Sequence, residues 1–172
     1  MHYIFVNIHT LLFWLILISG VIAYYRSAMG TFGNLRWGGV DDTSGKVLFH
    51  AINFQFLIGL ILYIFLSPYT QEAFSNFGDA MGNTTLRFWA VEHILMMIGS
   101  LAVFHIGTAK VKRAQTDRSK FKTRFIYYSI AFILILLAIP WPFREMGAKC
   151  FDPNLPIFWL PGRFHVKPDP LE

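Results

Sequence analysis

The sequence predicts an all-α integral membrane protein, a four-helix transmembrane bundle, and three observations carry that prediction. Only 15% of the 172 residues are charged and 55% are hydrophobic, whereas a soluble domain averages about 25% charged; the mean hydropathy is +0.46. Four apolar runs, each near the roughly 20 residues that a ~30 Å hydrocarbon core demands, alternate with polar segments. Lysine and arginine gather in one short connection, as the positive-inside rule expects of a cytoplasmic loop. The length allows one bundle. The single cysteine, Cys150, excludes an intrachain disulfide and any Cys-rich metal or iron–sulfur site.

Residues 3–25 form the first span. The missing basic n-region, the length of the apolar run and the absence of a small-x-small cleavage site argue against a signal peptide, and a retained helix is expected. Gly20 would let a neighbouring helix or a flat ligand approach closely. Residues 26–46 read as a Gly-rich loop that closes on Asp41-Asp42-Thr43-Ser44, plausible N-caps for the next helix. The second span covers 47–66 and stops at Ser67-Pro68. A polar segment follows, in which Thr84 or Thr85 would cap the third span at 88–108. Residues 110–124 carry seven Lys/Arg against Asp117 alone, and the fourth span, 125–143, is closed by Pro140 and Pro142. The transmembrane domain is thus 1–143. A tail, 144–172, contains Pro153, Pro156, Pro161, Pro168 and Pro170 and is expected to lie on the bundle or on a partner.

The 110–124 connection and the first loop, with Arg26, Arg36 and Lys46, place the cytoplasm on their side, so both termini face away from it. The net charge of +5 is therefore topological, and a nucleic-acid partner is not expected. The bilayer itself is the first partner.

Ionisable groups inside a span are costly and by default point to a functional site. Glu92, His93 and His105 lie within the third run, His9 in the first and His50 in the second. At ~1.5 Å per residue, His9 and His93 fall at one depth near the outer side, and His50 and His105 at another near the inner side. Two levels of paired imidazole suit bis-His haem b ligation, which needs one neutral histidine on each face of the ring. One haem at His9/His93 is the main expectation, and a second at His50/His105 is permitted. The alternative is that these histidines only bond between helices or reach the interface. Glu92 would tune the site, relay a proton or pair with Arg87 five residues earlier. Met96 and Met97 are one turn from His93 and read mainly as packing. Trp14, Trp89 and Trp141 read as interfacial or packing aromatics. The terminal His2 and His165 read as solvated. No nucleophile with its base, phosphate loop or pair of catalytic carboxylates is visible, so hydrolytic chemistry has no support.

From Ile8 to Phe143 the chain resembles small four-helix membrane proteins of Bacteroidetes often labelled "cytochrome B". The resemblance rests on His9-Thr10, on Phe56-Leu57-Ile58-Gly59-Leu60-Ile61-Leu62-Tyr63 before Ser67-Pro68, on Arg87-Phe88-Trp89 with Val91-Glu92-His93, on Ile106-Gly107, and on Leu137-Ala138-Ile139-Pro140-Trp141-Pro142-Phe143. It implies haem b in a bacterial inner membrane, with His9 and His93 at family positions. The family's second-helix histidine is absent, since the stretch reads Asn53-Phe54-Gln55. The function expected is electron transfer, as a cytochrome b-like subunit of a respiratory or quinone-linked complex. A larger membrane complex and a quinone are the partners this implies. A cofactor-free accessory subunit is the alternative. A fainter likeness to membrane haem-type protoporphyrinogen oxidases gives an enzyme alternative.

Overall fold

The computed structural model describes residues 2–141; the Pro-rich tail and His165 lie outside the described residues. Those described are predominantly helical, without strands. The first span is α1 (His2–Phe32). The second is α2 (Gly39–Ile61), continued by a π-helical turn at Leu62–Leu66. Two short helices, α3 (Pro68–Ser75) and α4 (Phe77–Gly82), cross between spans. The third span runs through α5 (Thr84–Arg87), a second π-helical turn at Phe88–Glu92, and α6 (His93–Arg113). The fourth is α7 (Asp117–Ala138). Four helices of 31, 28, 30 and 22 residues are long and apolar enough to cross a membrane.

The helices outrun the apolar runs that announced them. Residues 26–32, expected as loop, extend α1, and the following helix begins at Gly39 rather than near residue 47. The basic connection shrinks to residues 114–116, because Lys110–Arg113 end α6 and Asp117–Arg124 begin α7. Basic side chains in a helix's last turn complement its dipole, and Thr116 accepts a bond from the Ser119 N–H as the cap of α7. Asn83, rather than Thr84 or Thr85, caps the third span through the Thr85 and Leu86 N–H groups. At ~1.5 Å per residue, a 31-residue helix is about 46 Å long, well beyond a ~30 Å hydrocarbon core. The surplus sits largely at the end bearing the basic connection, here the basic end; His2, Ser67, Phe88 and Ala138 mark the opposite, terminal end.

Packing is closest between α6 and α7, between α1 and α2, and between α1 and α7, whereas α2 and α6 approach each other only sparsely. Small residues make the close approaches. On α1, Ser19, Gly20, Ala23, Ser27 and Gly30 form one buried stripe. A Cβ on Gly30 would stand 2.2 Å from the Phe121 ring, and one on Gly107 2.4 Å from Tyr127 Cβ. Small faces are how helices associate in lipid, where the hydrophobic effect gives little drive between them. The buried hydroxyls of Thr10, Ser19 and Ser27 donate to carbonyls four residues back on their own helix and so cost no unpaired donor. Ile16, Ala23, Leu48, Ala51, Ile52, Phe104, Tyr128 and Ala131 form the main buried cluster.

At the basic end, α1, α2 and α7 are tied by charge. Asp41 is fully buried and takes a bidentate pair from Arg26, Nε at 2.6 Å and Nη2 at 2.8 Å. The same carboxylate accepts the Gly38 N–H, closing the start of α2. Arg124 of α7, also buried, donates to the Asp41 backbone carbonyl and lies 4.1 Å from the centre of the Trp37 ring.

Candidate functional site

Where α2 and α6 diverge, all four spans line one cavity of about 220 Å³ that reaches the terminal end. Its walls are overwhelmingly apolar, and the chemistry comes from a few groups. His9 and Thr10 come from α1, Gln55 and Gly59 from α2, and Trp89, His93 and Met97 from the third span, with Ala138 from α7.

Helical spacing explains this convergence. Gln55, Gly59 and Tyr63 recur every four residues along one face of the second span, and Met97 stands four residues beyond His93. The two π-helical turns bracket the cavity mouth and are bonded to each other: the Tyr63 hydroxyl donates to the Ala90 carbonyl at 2.6 Å. A π turn displaces carbonyls from the regular ladder, and such turns concentrate at functional sites. Other carbonyls near the end of the second span are taken up by Thr70, which donates to Tyr63 at 2.7 Å, and by Gln71, which donates to Phe65. His2, expected to be solvated, bonds through Nδ1 to the Leu66 carbonyl at 2.8 Å.

His93 donates Nδ1–H to the Ala138 carbonyl at 2.9 Å. A carbonyl only accepts, so the neutral ring carries its proton on Nδ1 and keeps a lone pair on Nε2. Trp89 packs against this ring at 5.4 Å between centroids. His9 lies flat on Gly59, whose missing side chain makes room: a Cβ there would stand 3.0 Å from His9 Cε1. His9 Nδ1 is buried without a hydrogen bond; the Gln55 main chain lies nearby but out of good hydrogen-bond geometry. Gln55 Oε1 and Trp89 Nε1 are likewise buried and unbonded. Three orphaned polar atoms around one cavity are unusual, because each buried unpaired group costs about 1–3 kcal/mol.

The remaining sequence candidates lie elsewhere. His105 Nε2 donates to Asn53 Oδ1 at 3.1 Å, and its ring rests on Phe49. His50 is exposed, edge-on to Phe49. Glu92 accepts from Arg87 Nε at 2.9 Å; the two side chains are 36% and 40% exposed, and Arg87 also donates to the Met81 carbonyl. Met96 does not line the cavity, whereas Met97 does. Gln55, Gly59 and Trp89 were not singled out as site residues from the sequence, although their four-residue spacing from Tyr63 and His93 was there to read. Outside the spans, burial and the Glu72 carboxylate push the Tyr69 phenol up, so it stays protonated beside Trp89, with ring centres 6.2 Å apart.

No protein-family model, curated protein or solved structure significantly matches this chain.

Proposed function

We propose that this chain is a haem b-binding electron-transfer protein, with His9 and His93 as axial ligands and both termini on the non-cytoplasmic side of a bacterial inner membrane. The observation that carries the reading is the pairing of two imidazoles, from the first and third spans, across one apolar intramembrane cavity. His93 already has the outer bond that ligating histidines make, Nδ1–H to a carbonyl, which fixes the tautomer and leaves the lone pair on Nε2 for a metal. The count of donors favours a ring over a bare ion. Among the described residues, no group of three or more His, Cys, Asp or Glu could hold a metal ion, and a bare cation usually takes at least three protein ligands. A porphyrin supplies four nitrogens itself and asks the protein for two. The cavity is small beside ordinary ligand sites of ~300–1,000 Å³; the sparse seam between α2 and α6 is the wall that would part to seat a macrocycle.

When bound, haem b supplies reversible one-electron chemistry. The chain's own part is to hold and tune. His9 and His93 would hold the ring from the first and third spans, with the Ala138 carbonyl raising the basicity of His93. The apolar walls keep water away and favour the less charged redox state. Glu92, paired with Arg87 near the terminal end, would set the local charge there. This reading makes the chain a cytochrome b-like subunit that passes electrons within a larger membrane complex, with quinone as a reaction partner.

The test is a reduced-minus-oxidised spectrum and a pyridine haemochrome titration on detergent-purified protein. A sharp b-type α-band at one haem per chain is expected. His93→Ala and His9→Ala should each abolish it while helical content is retained. A stoichiometry of two would bring His50 and His105 back as ligands. A colourless protein from haem-sufficient cells would overturn the reading and leave the cofactor-free accessory subunit.

A further inference from the structure

The Trp89 indole N–H is a buried donor with nothing to donate to, at the mouth of the cavity. Indole offers a donor and no acceptor, so whatever satisfies it must accept. The nitrogen itself is closed to water, so its acceptor must be a group packed directly against it. Among the described residues, the carboxylates nearest in sequence are spoken for or exposed: Glu92 is held by Arg87, and Glu72 is exposed. The indole is also held in place from both sides, by the His93 ring at 5.4 Å and the Tyr69 ring at 6.2 Å. It is a rigid donor lacking an acceptor.

Depth decides what that acceptor is. Trp89 lies one turn from His93 toward the terminal end, beside Ser67, Pro68 and Tyr69. The far end of the cavity is closed by Ile16, Ile52 and Leu101, which offer nothing to a charge. An acidic group on a ring ligand would be severely penalised at the apolar end and only mildly at the mouth, within reach of water. We infer that Trp89 is a positioning residue that binds a carboxylate of the ring ligand, so that a haem enters with its propionates toward the terminal end and its apolar edge inward. This rests on the haem reading above and adds the direction in which the ring is held.

The experiment is a titration of apoprotein in detergent with haem and with haem dimethyl ester, whose carboxylates can no longer carry charge. A charge-assisted bond lost from a buried site weakens binding about ten- to a hundred-fold. Trp89→Phe should weaken haem by that factor and the diester distinctly less, because an ester carbonyl accepts only a neutral bond, and Trp89→Tyr, which keeps a ring and a donor, should recover most of the loss. Should Trp89→Phe not fold, wild-type protein still gives the answer: the diester should bind at least ten-fold more weakly than haem. Equal binding of haem and diester to wild type, or equal losses for both in Trp89→Phe, would overturn the orientation while a bis-His spectrum left the haem reading intact. Absence of any bis-His spectrum in wild type would overturn both.

Discussion

The two ends of the bundle solve the problem of polar groups in lipid in opposite ways. At the basic end, Asp41, Arg26, the Asp41 backbone carbonyl, Arg124 and Trp37 form a set in which the carboxylate takes three bonds and each guanidinium makes at least one, with Arg124 Nε left buried and unbonded. Glycines there seat aromatic rings, as Gly30 seats Phe121 and Gly107 seats Tyr127. At the terminal end the helices part, two π turns interrupt the ladder, and His9 Nδ1, Gln55 Oε1 and Trp89 Nε1 are left unbonded around a cavity. A buried unsatisfied group is a standing cost, tolerated only where something else is gained. The basic end ties three spans together by charge, and the terminal end leaves polar atoms unbonded around a cavity.

That contrast breaks first at Asp41. Asp41→Ala leaves two buried or half-buried cations facing each other, and losing one partner of a buried pair costs ~3–5 kcal/mol. Unfolding in detergent should show that loss, with the cavity chemistry unchanged in whatever protein remains folded. A neutral Asp41→Ala would show that the basic end is not what stabilises the fold.

Gly30→Ala comes next. Its Cβ would fall inside contact distance of a Phe121 ring that is itself fully buried. Overpacking of this kind costs ~1–3 kcal/mol, again read as lowered thermal stability. Haem stoichiometry should be unaffected, since the site lies at the other end.

The smallest effect sharpens the comparison along a single helix. His105→Ala removes one bond to Asn53, worth ~1 kcal/mol, and should leave the haem spectrum at full amplitude. His93→Ala, twelve residues away on the same helix, should do the reverse. A loss of haem in His105→Ala would return that residue to the ligand set.

Much of the fold could be read from the residues. Length, hydropathy and the basic connection gave four helices able to span a membrane. His9 and His93 stood out because ionisable side chains inside apolar runs are rare. The Arg87–Glu92 pair, anticipated from a five-residue spacing, is present in a π turn that has that same period. Helix ends were less legible: residues 26–32 look like loop by composition, yet the small residues that suggest a loop are what let α1 pack against α7. Asp41 looked like a cap, and it does hold the Gly38 N–H. Its larger partners, Arg26 and Arg124, lie 15 and 83 residues away along the chain.

The sequence alone therefore determined that the chain is all-α and has four helices able to span a membrane, because these follow from composition and the length of the apolar runs. It could not determine which side of each helix faces inward. A helix that is apolar all round carries little amphipathic signal, so its rotation is set by neighbours that lie far off in sequence. Only the packing of four spans decided that His9 meets Gly59, that His93 bonds to Ala138, that His105 bonds to Asn53, and that Trp89 is left with a proton to give.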